Sequence, residues 1–149
     1  MNTLGTAGIA IIAAGLAGAA TAAEPAGTVK TVRGAVTVER GGQRIAAVPG
    51  LSVEAADRVL TGVDGTIGIT LRDQTLLTAG PNSTLGLDKF AFNPTTHAGE
   101  LDASLKRGTL AVVSGKLAKA SPESVRFRTD SVTLGVRGTE FIIEAAAGE

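Results

Sequence analysis

The chain has 149 residues, room for one domain, with 14 basic and 14 acidic side chains, no cysteine, no tryptophan or tyrosine, and four phenylalanines. Balanced charge removes the electrostatic basis for general affinity to nucleic acid or anionic lipid, and so few rings leave no stacking platform for single strands. Without cysteine and with one histidine, zinc and copper sites lack suitable ligands, so no cofactor and no nucleic-acid partner is expected.

Met1 to Ala23 carries no charged side chain, and the stretch ends in Ala20-Thr21-Ala22-Ala23 ahead of Glu24. An apolar run closed by small residues is the layout of a secretory signal peptide. Residues 1–23 are therefore expected to form a signal helix, cleaved after Ala22 or Ala23, leaving residues 24–149 as one exported domain of about 125 residues. An uncleaved anchor is the alternative. Against it, only Leu4, Ile9, Ile11, Ile12 and Leu16 are strongly apolar, which makes for weak membrane retention. The expected location is the periplasm, with no stable membrane span after cleavage, and the lack of cysteine excludes a lipoprotein.

Beyond Pro25 apolar residues alternate with polar ones, the period of half-buried strands. Val36 to Arg40 and residues 43–47 flank Gly41-Gly42, a pair suited to the positive φ angles of a two-residue hairpin turn. That turn sets Val38 against Ile45, Val36 against Ala47 and Glu39 against Arg44. Further strands are expected over residues 58–61, 66–71, 75–78, 84–87, 100–106, 109–113, 124–129 and 132–143. Turn residues such as Pro49-Gly50, Asp64-Gly65, Gly80-Pro81-Asn82, Arg107-Gly108 and Asp130-Ser131 punctuate them. About ten short strands at this spacing predict an all-β fold, an antiparallel sandwich, roll or partly open barrel. Helix is confined to short candidates at residues 53–56 and 116–120. In the last stretch Val132, Leu134 and Val136 fall on even positions but Phe141 and Ile143 on odd ones, which predicts a β-bulge at Gly138.

That last stretch, Val136-Arg137-Gly138-Thr139-Glu140-Phe141-Ile142, resembles the closing signature of the FecR domain family, V-R-G-T-x-F followed by an apolar residue. Pro49-Gly50-Leu51, Asp57-Arg58-Val59-Leu60-Thr61-Gly62, Leu71-Arg72-Asp73-Gln74-Thr75-Leu76 and Leu105-Lys106-Arg107-Gly108-Thr109-Leu110 resemble other family motifs, in the family's order. The resemblance implies an all-β periplasmic domain. In the name-giving members it senses an outer-membrane transporter and signals through a membrane helix to a cytoplasmic segment that controls a sigma factor. This chain shows neither that segment nor that helix, and is expected to act as a stand-alone sensory or regulatory module. Its partner would be an envelope or inner-membrane signalling protein that supplies the membrane crossing. Gln74 stands where the family often has glycine.

No constellation announces catalysis. His97 has no acid beside it and reads as a solvated loop residue. Asp57, Asp64 and Asp73 match no calcium loop and read as turn caps. A glycan hydrolase would need two of the acids Asp57, Asp64, Asp73 and Asp130 across one cleft. Arg137 would be costly to bury alone, so it is expected to pair with Asp57 or Asp64; the alternative is an exposed Arg137 that binds a partner's anion. Arg126, Arg128, Lys116 and Lys119 read as a solvated basic stripe. The expectation is therefore a non-enzymatic binding module, with a structural or scaffold role in the envelope as the alternative.

Overall fold

The computed structural model describes residues 24–135 and 140–145, of which 58% are strand and 7% helix. The strands are β1 (Gly27–Arg33), β2 (Val36–Arg40), β3 (Gln43–Ala46), β4 (Ser52–Val53), β5 (Arg58–Thr61) and β6 (Thr66–Leu71). They continue with β7 (Leu76–Ala79), β8 (Thr84–Phe92), β9 (Gly99–Val113), β10 (Val125–Arg128), β11 (Thr133–Gly135) and β12 (Glu140–Ala145). One helix, α1 (Lys116–Ala120), precedes a 3-10 turn at Pro122–Ser124. Residues 1–23, the expected signal peptide, lie outside the described residues, and no helix among those described is long and apolar enough to cross a membrane.

The twelve strands curl into one sheet whose two halves face each other. We call the halves sheet A, in the order β4-β1-β6-β7-β9-β12, and sheet B, in the order β3-β2-β5-β8-β9-β10-β11. Strand β9 belongs to both. Residues 99–107 pair with β8, and residues 101–104 of that stretch also pair with β10; residues 108–113 pair with β12, flanked on the other side by β7. All neighbours are antiparallel except β9 and β10, which run parallel.

Alternation places one face of each half inside. From sheet A, Val29, Ile69, Leu77 and Val112 lie in one buried row, and Ile67, Ala79, Leu110 and Ile143 in the next. Val38, Val59, Leu85, Leu101, Leu105 and Phe127 of sheet B face them in a single core. Leu117 of α1 plugs one end of this core.

The hairpin register is as expected: Val38 opposes Ile45, Glu39 opposes Arg44, and the latter pair meets at 3.4 Å. Leu101, Ala103 and Leu105 are all buried.

Other expectations are corrected. Strand β1 escapes the alternation rule because a bulge at Lys30 puts Val29 and Val32, three residues apart, on the same face. A second irregularity between Leu87 and Lys89 hides the continuation of β8 to Phe92. Arg107-Gly108 is not a turn but the bend at which β9 changes sheets. Gly108 has φ +94°, and a Cβ there would collide with Ser83, so only glycine fits. Residues 53–56 form the end of β4 and a turn rather than a helix. Over the stretch 132–143, β11 pairs in sheet B and β12 in sheet A. The bulge expected at Gly138 lies outside the described residues. Residues Thr133–Gly135 are all exposed, so the even face expected to be buried there meets solvent.

Candidate functional site

Several of the described residues from the family motifs sit at joints of the fold. Asp57, only 1% exposed, leads into β5. Its carboxylate accepts Nε of Arg40 at 2.9 Å on Oδ1, and Nη2 of Arg40 at 2.7 Å and the Glu54 backbone N–H at 2.8 Å on Oδ2. Arg40 also donates to the Ser52 carbonyl at 2.8 Å and lies 3.0 Å from Glu54. The hydrogen bonds to Asp57 raise the Arg40 guanidinium above the ordinary arginine value; partial burial opposes the rise, and the charges of Asp57 and Glu54 add to it. The fork ties the β2–β3 hairpin to the start of β5.

Thr61 and Ser83 stitch the bends between the two sheets. The Thr61 hydroxyl donates to the Gly80 carbonyl at 2.7 Å and accepts the Ser83 N–H at 2.8 Å. The Ser83 hydroxyl accepts the Thr109 N–H at 3.0 Å, just past the bend in β9. Asp73, fully buried, accepts the Thr75 N–H at 3.0 Å, the Thr75 hydroxyl at 2.7 Å and the Leu117 N–H at 3.3 Å. Through these bonds the β6–β7 turn holds α1. Gln74 takes φ +72° in that turn, the conformation its glycine-preferring position implies.

Of the five signature residues, Val136, Arg137, Gly138 and Thr139 lie outside the described residues, and with them the expected pairing of Arg137. Phe141 is half-buried in β12 and meets Phe127 of β10 edge to face at 5.4 Å, which ties sheet A to sheet B. Asp64 sits at the β5–β6 corner, its Oδ1 3.4 Å from the Ala35 N–H. His97 is a loop residue as expected, but half-buried rather than solvated, for its ring stacks on Phe92 at 5.8 Å. Asp57, Asp64 and Asp73 thus occupy three separate joints. Asp57 and Asp130 line one groove, yet both Asp57 oxygens are taken by Arg40 and Glu54. Among the described residues no group of three His, Asp or Glu could hold a metal ion.

The described surface also carries a groove of about 500 Å3, which runs over the outer face of sheet B, across β5, β8, β9, β10 and β11. Arg128 forms its centre. Its Nε donates to Asp102 at 2.9 Å and its Nη2 to Asp88 at 3.1 Å, so the guanidinium is clamped between two carboxylates of neighbouring strands. The expected basic stripe is thereby broken up: Arg128 is paired, while Arg126 is exposed on the same strand. Arg58 and Lys106 also line the groove, both exposed and neither in an ion pair among the described residues. The groove is thus polar, with Arg58 and Lys106 outside any ion pair among the described residues, the exposed Asp130 likewise, and Arg128 between its two carboxylates. Sequence reasoning missed it because Asp88, Asp102 and Arg128 come together only through the parallel pairing of β10 with β9, a contact with no local signal.

The described residues form a curled all-β domain with a polar groove on one sheet. The chain matches the family described as FecR protein over residues 57–149, and it belongs to that family, one of envelope signalling regulators rather than enzymes. The match begins at Asp57, so β1 to β4 precede it and complete its sheets. No curated protein and no solved structure matches the chain.

Proposed function

We propose that this chain is a sensory or regulatory module of the cell envelope, located in the periplasm, that acts by contact with another envelope or inner-membrane signalling protein. Family membership supports the regulatory class, and the signal-like sequence of residues 1–23 supports export. The observation that carries the reading is the groove of sheet B. Arg128 is already oriented by Asp88 and Asp102, and Arg58 and Lys106 stand ready for carboxylates of a partner surface.

The test is photo-cross-linking in intact cells from position 133, at the rim of the groove, with and without Arg128→Glu. The proposal predicts one discrete protein adduct that Arg128→Glu abolishes while the far-UV circular dichroism stays that of a β protein. Adduct formation that ignores Arg128→Glu would count against it.

A second reading, a scaffold role through strand addition, is favoured by β11, whose three residues are all exposed and which pairs on one side only among the described residues. Under that reading the adduct is an outer-membrane or peptidoglycan-linked protein, and Leu134→Pro, not the charge change, removes it.

A further inference from the structure

The outer face of sheet A, opposite to the groove, has an ordered distribution of charge. Strand pairing sets its outward residues in rows across β1, β6, β7, β9 and β12. In one row Thr70, Leu76 and Val113 run toward Glu140; in the next, Gly68, Thr78 and Ala111 run toward Ile142. The three middle strands thus present an uncharged surface. Its apolar members are unusually exposed, Leu76 by 43% and Ile142 by 70%. Charge is confined to the two flanks. Strand β1 carries Lys30, pushed out by the bulge, and Arg33, both exposed; β12 carries Glu140 and Glu144, also exposed. None of the four forms an ion pair among the described residues, although charges elsewhere on the surface do.

An uncharged centre with cations along one flank and carboxylates along the other is complementary to itself. Two copies stacked face to face can be related by a two-fold axis lying in the contact plane, and where the two sheets keep their strands aligned that axis runs either along the strands or across them. An axis along β7 lays β1 of one copy over β12 of the other and keeps each residue's height along the strand. Arg33 then meets the second copy's Glu144, Lys30 lies near its Glu140, and both contacts occur twice. An axis across the strands stacks β1 on β1 and β12 on β12, like charge on like. Only the first arrangement is electrostatically favourable, and it lies within the small twist angle usual for aligned sheets.

We infer that this chain pairs with a second copy of itself through the outer face of sheet A, about a two-fold axis close to β7. Five strands about 4.8 Å apart and three rows about 7 Å apart give a face roughly 20 Å across. Two such faces remove on the order of 1,000 Å2 from water, the lower end of specific interfaces, so the dimer is weak and reversible. The groove on sheet B stays open in both copies, and the pair therefore presents two outward-facing grooves to its surroundings.

The full chain has no cysteine, so a single introduced one reports on one place. Thr78→Cys lies on the axis and Thr133→Cys on the opposite side of the molecule. Treated with a short bis-maleimide at a few hundred micromolar protein, the Thr78→Cys chain is expected to cross-link to itself and the Thr133→Cys chain is not. In sedimentation velocity at low salt, Arg33→Glu and Glu144→Lys are each expected to weaken dimerisation about tenfold, and the double variant to restore it, because the pair is then reversed rather than lost. Restoration also shows that neither single change acted by unfolding the chain. Equal cross-linking at both positions, a monomer at all concentrations, or a double variant no better than the singles overturns the inference.

Discussion

Replacing Arg40 with methionine keeps the aliphatic stem against its neighbours and deletes the fork that neutralises Asp57. The structure sets the size of the loss. Asp57 is 1% exposed and would keep only the Glu54 N–H, while two short charged hydrogen bonds and the bond to the Ser52 carbonyl disappear. Breaking a fully buried pair from one side costs about 3–5 kcal/mol. The Arg40 side chain is 31% exposed, so water already screens its end of the pair, and about 2–3 kcal/mol is the expected loss. For a domain of this size that corresponds to a fall in Tm of about 10 °C. Urea denaturation of wild type, Arg40→Met, Asp57→Asn and the double variant measures both the loss and the coupling. The double variant should be less destabilised than the two single changes added together, because an amide in place of the Asp57 carboxylate leaves no stranded charge behind. The raised Arg40 value adds a sign: the stabilisation held by that group is complete below the ordinary arginine range and disappears only above it. The Arg40 side of the pair therefore contributes equally throughout the neutral and mildly alkaline range. A loss under about 0.5 kcal/mol, or strictly additive variants, would refute the assignment of Arg40 and Asp57 as a joint of the fold.

Three further outcomes follow from the same geometry. Asp73→Ala strands the Thr75 and Leu117 N–H groups and should cost about 3 kcal/mol, with amide exchange at Leu117 accelerating before global unfolding. Gln74→Gly relieves a positive φ and should raise stability by about 0.5–1 kcal/mol in urea melts, provided the turn keeps its shape. Gly108→Ala puts a methyl group into Ser83 at the bend of β9 and should cost at least about 2 kcal/mol by the same measurement, with Gly41→Ala, which meets nothing in its turn, as the milder control.

The sequence was readable where the pleat is unbroken. The Gly41-Gly42 hairpin, the buried face of residues 100–106 and the strand at Thr66–Leu71 follow from period-two alternation and turn chemistry alone. It became opaque where one residue is added. The bulge at Lys30 and the irregularity beside Asp88 each shift the apolar positions by one, so β1 was not picked out and β8 was expected to end at Leu87. The bend at Gly108 was misread for a related reason: the pattern there resembles a turn, and only tertiary pairing reveals that β9 has crossed to the other sheet. At the candidate site, Asp57, Asp64 and Asp73 were read as turn caps, and each accepts a backbone N–H at its joint, yet Arg40 as the partner of Asp57 was invisible, since the two are joined by a hairpin and a long turn. The Arg128 clamp was unreadable because strand order is not written in local periodicity.

The central claim is that this module regulates through the charged groove on sheet B. Transcript profiles of cells carrying the wild-type chain, the Arg128→Glu chain, or no chain test it most directly. The account predicts that Arg128→Glu reproduces the expression changes of the deletion although the variant protein is folded and present at normal level. A deletion profile that differs from wild type while Arg128→Glu cells match wild type would contradict it.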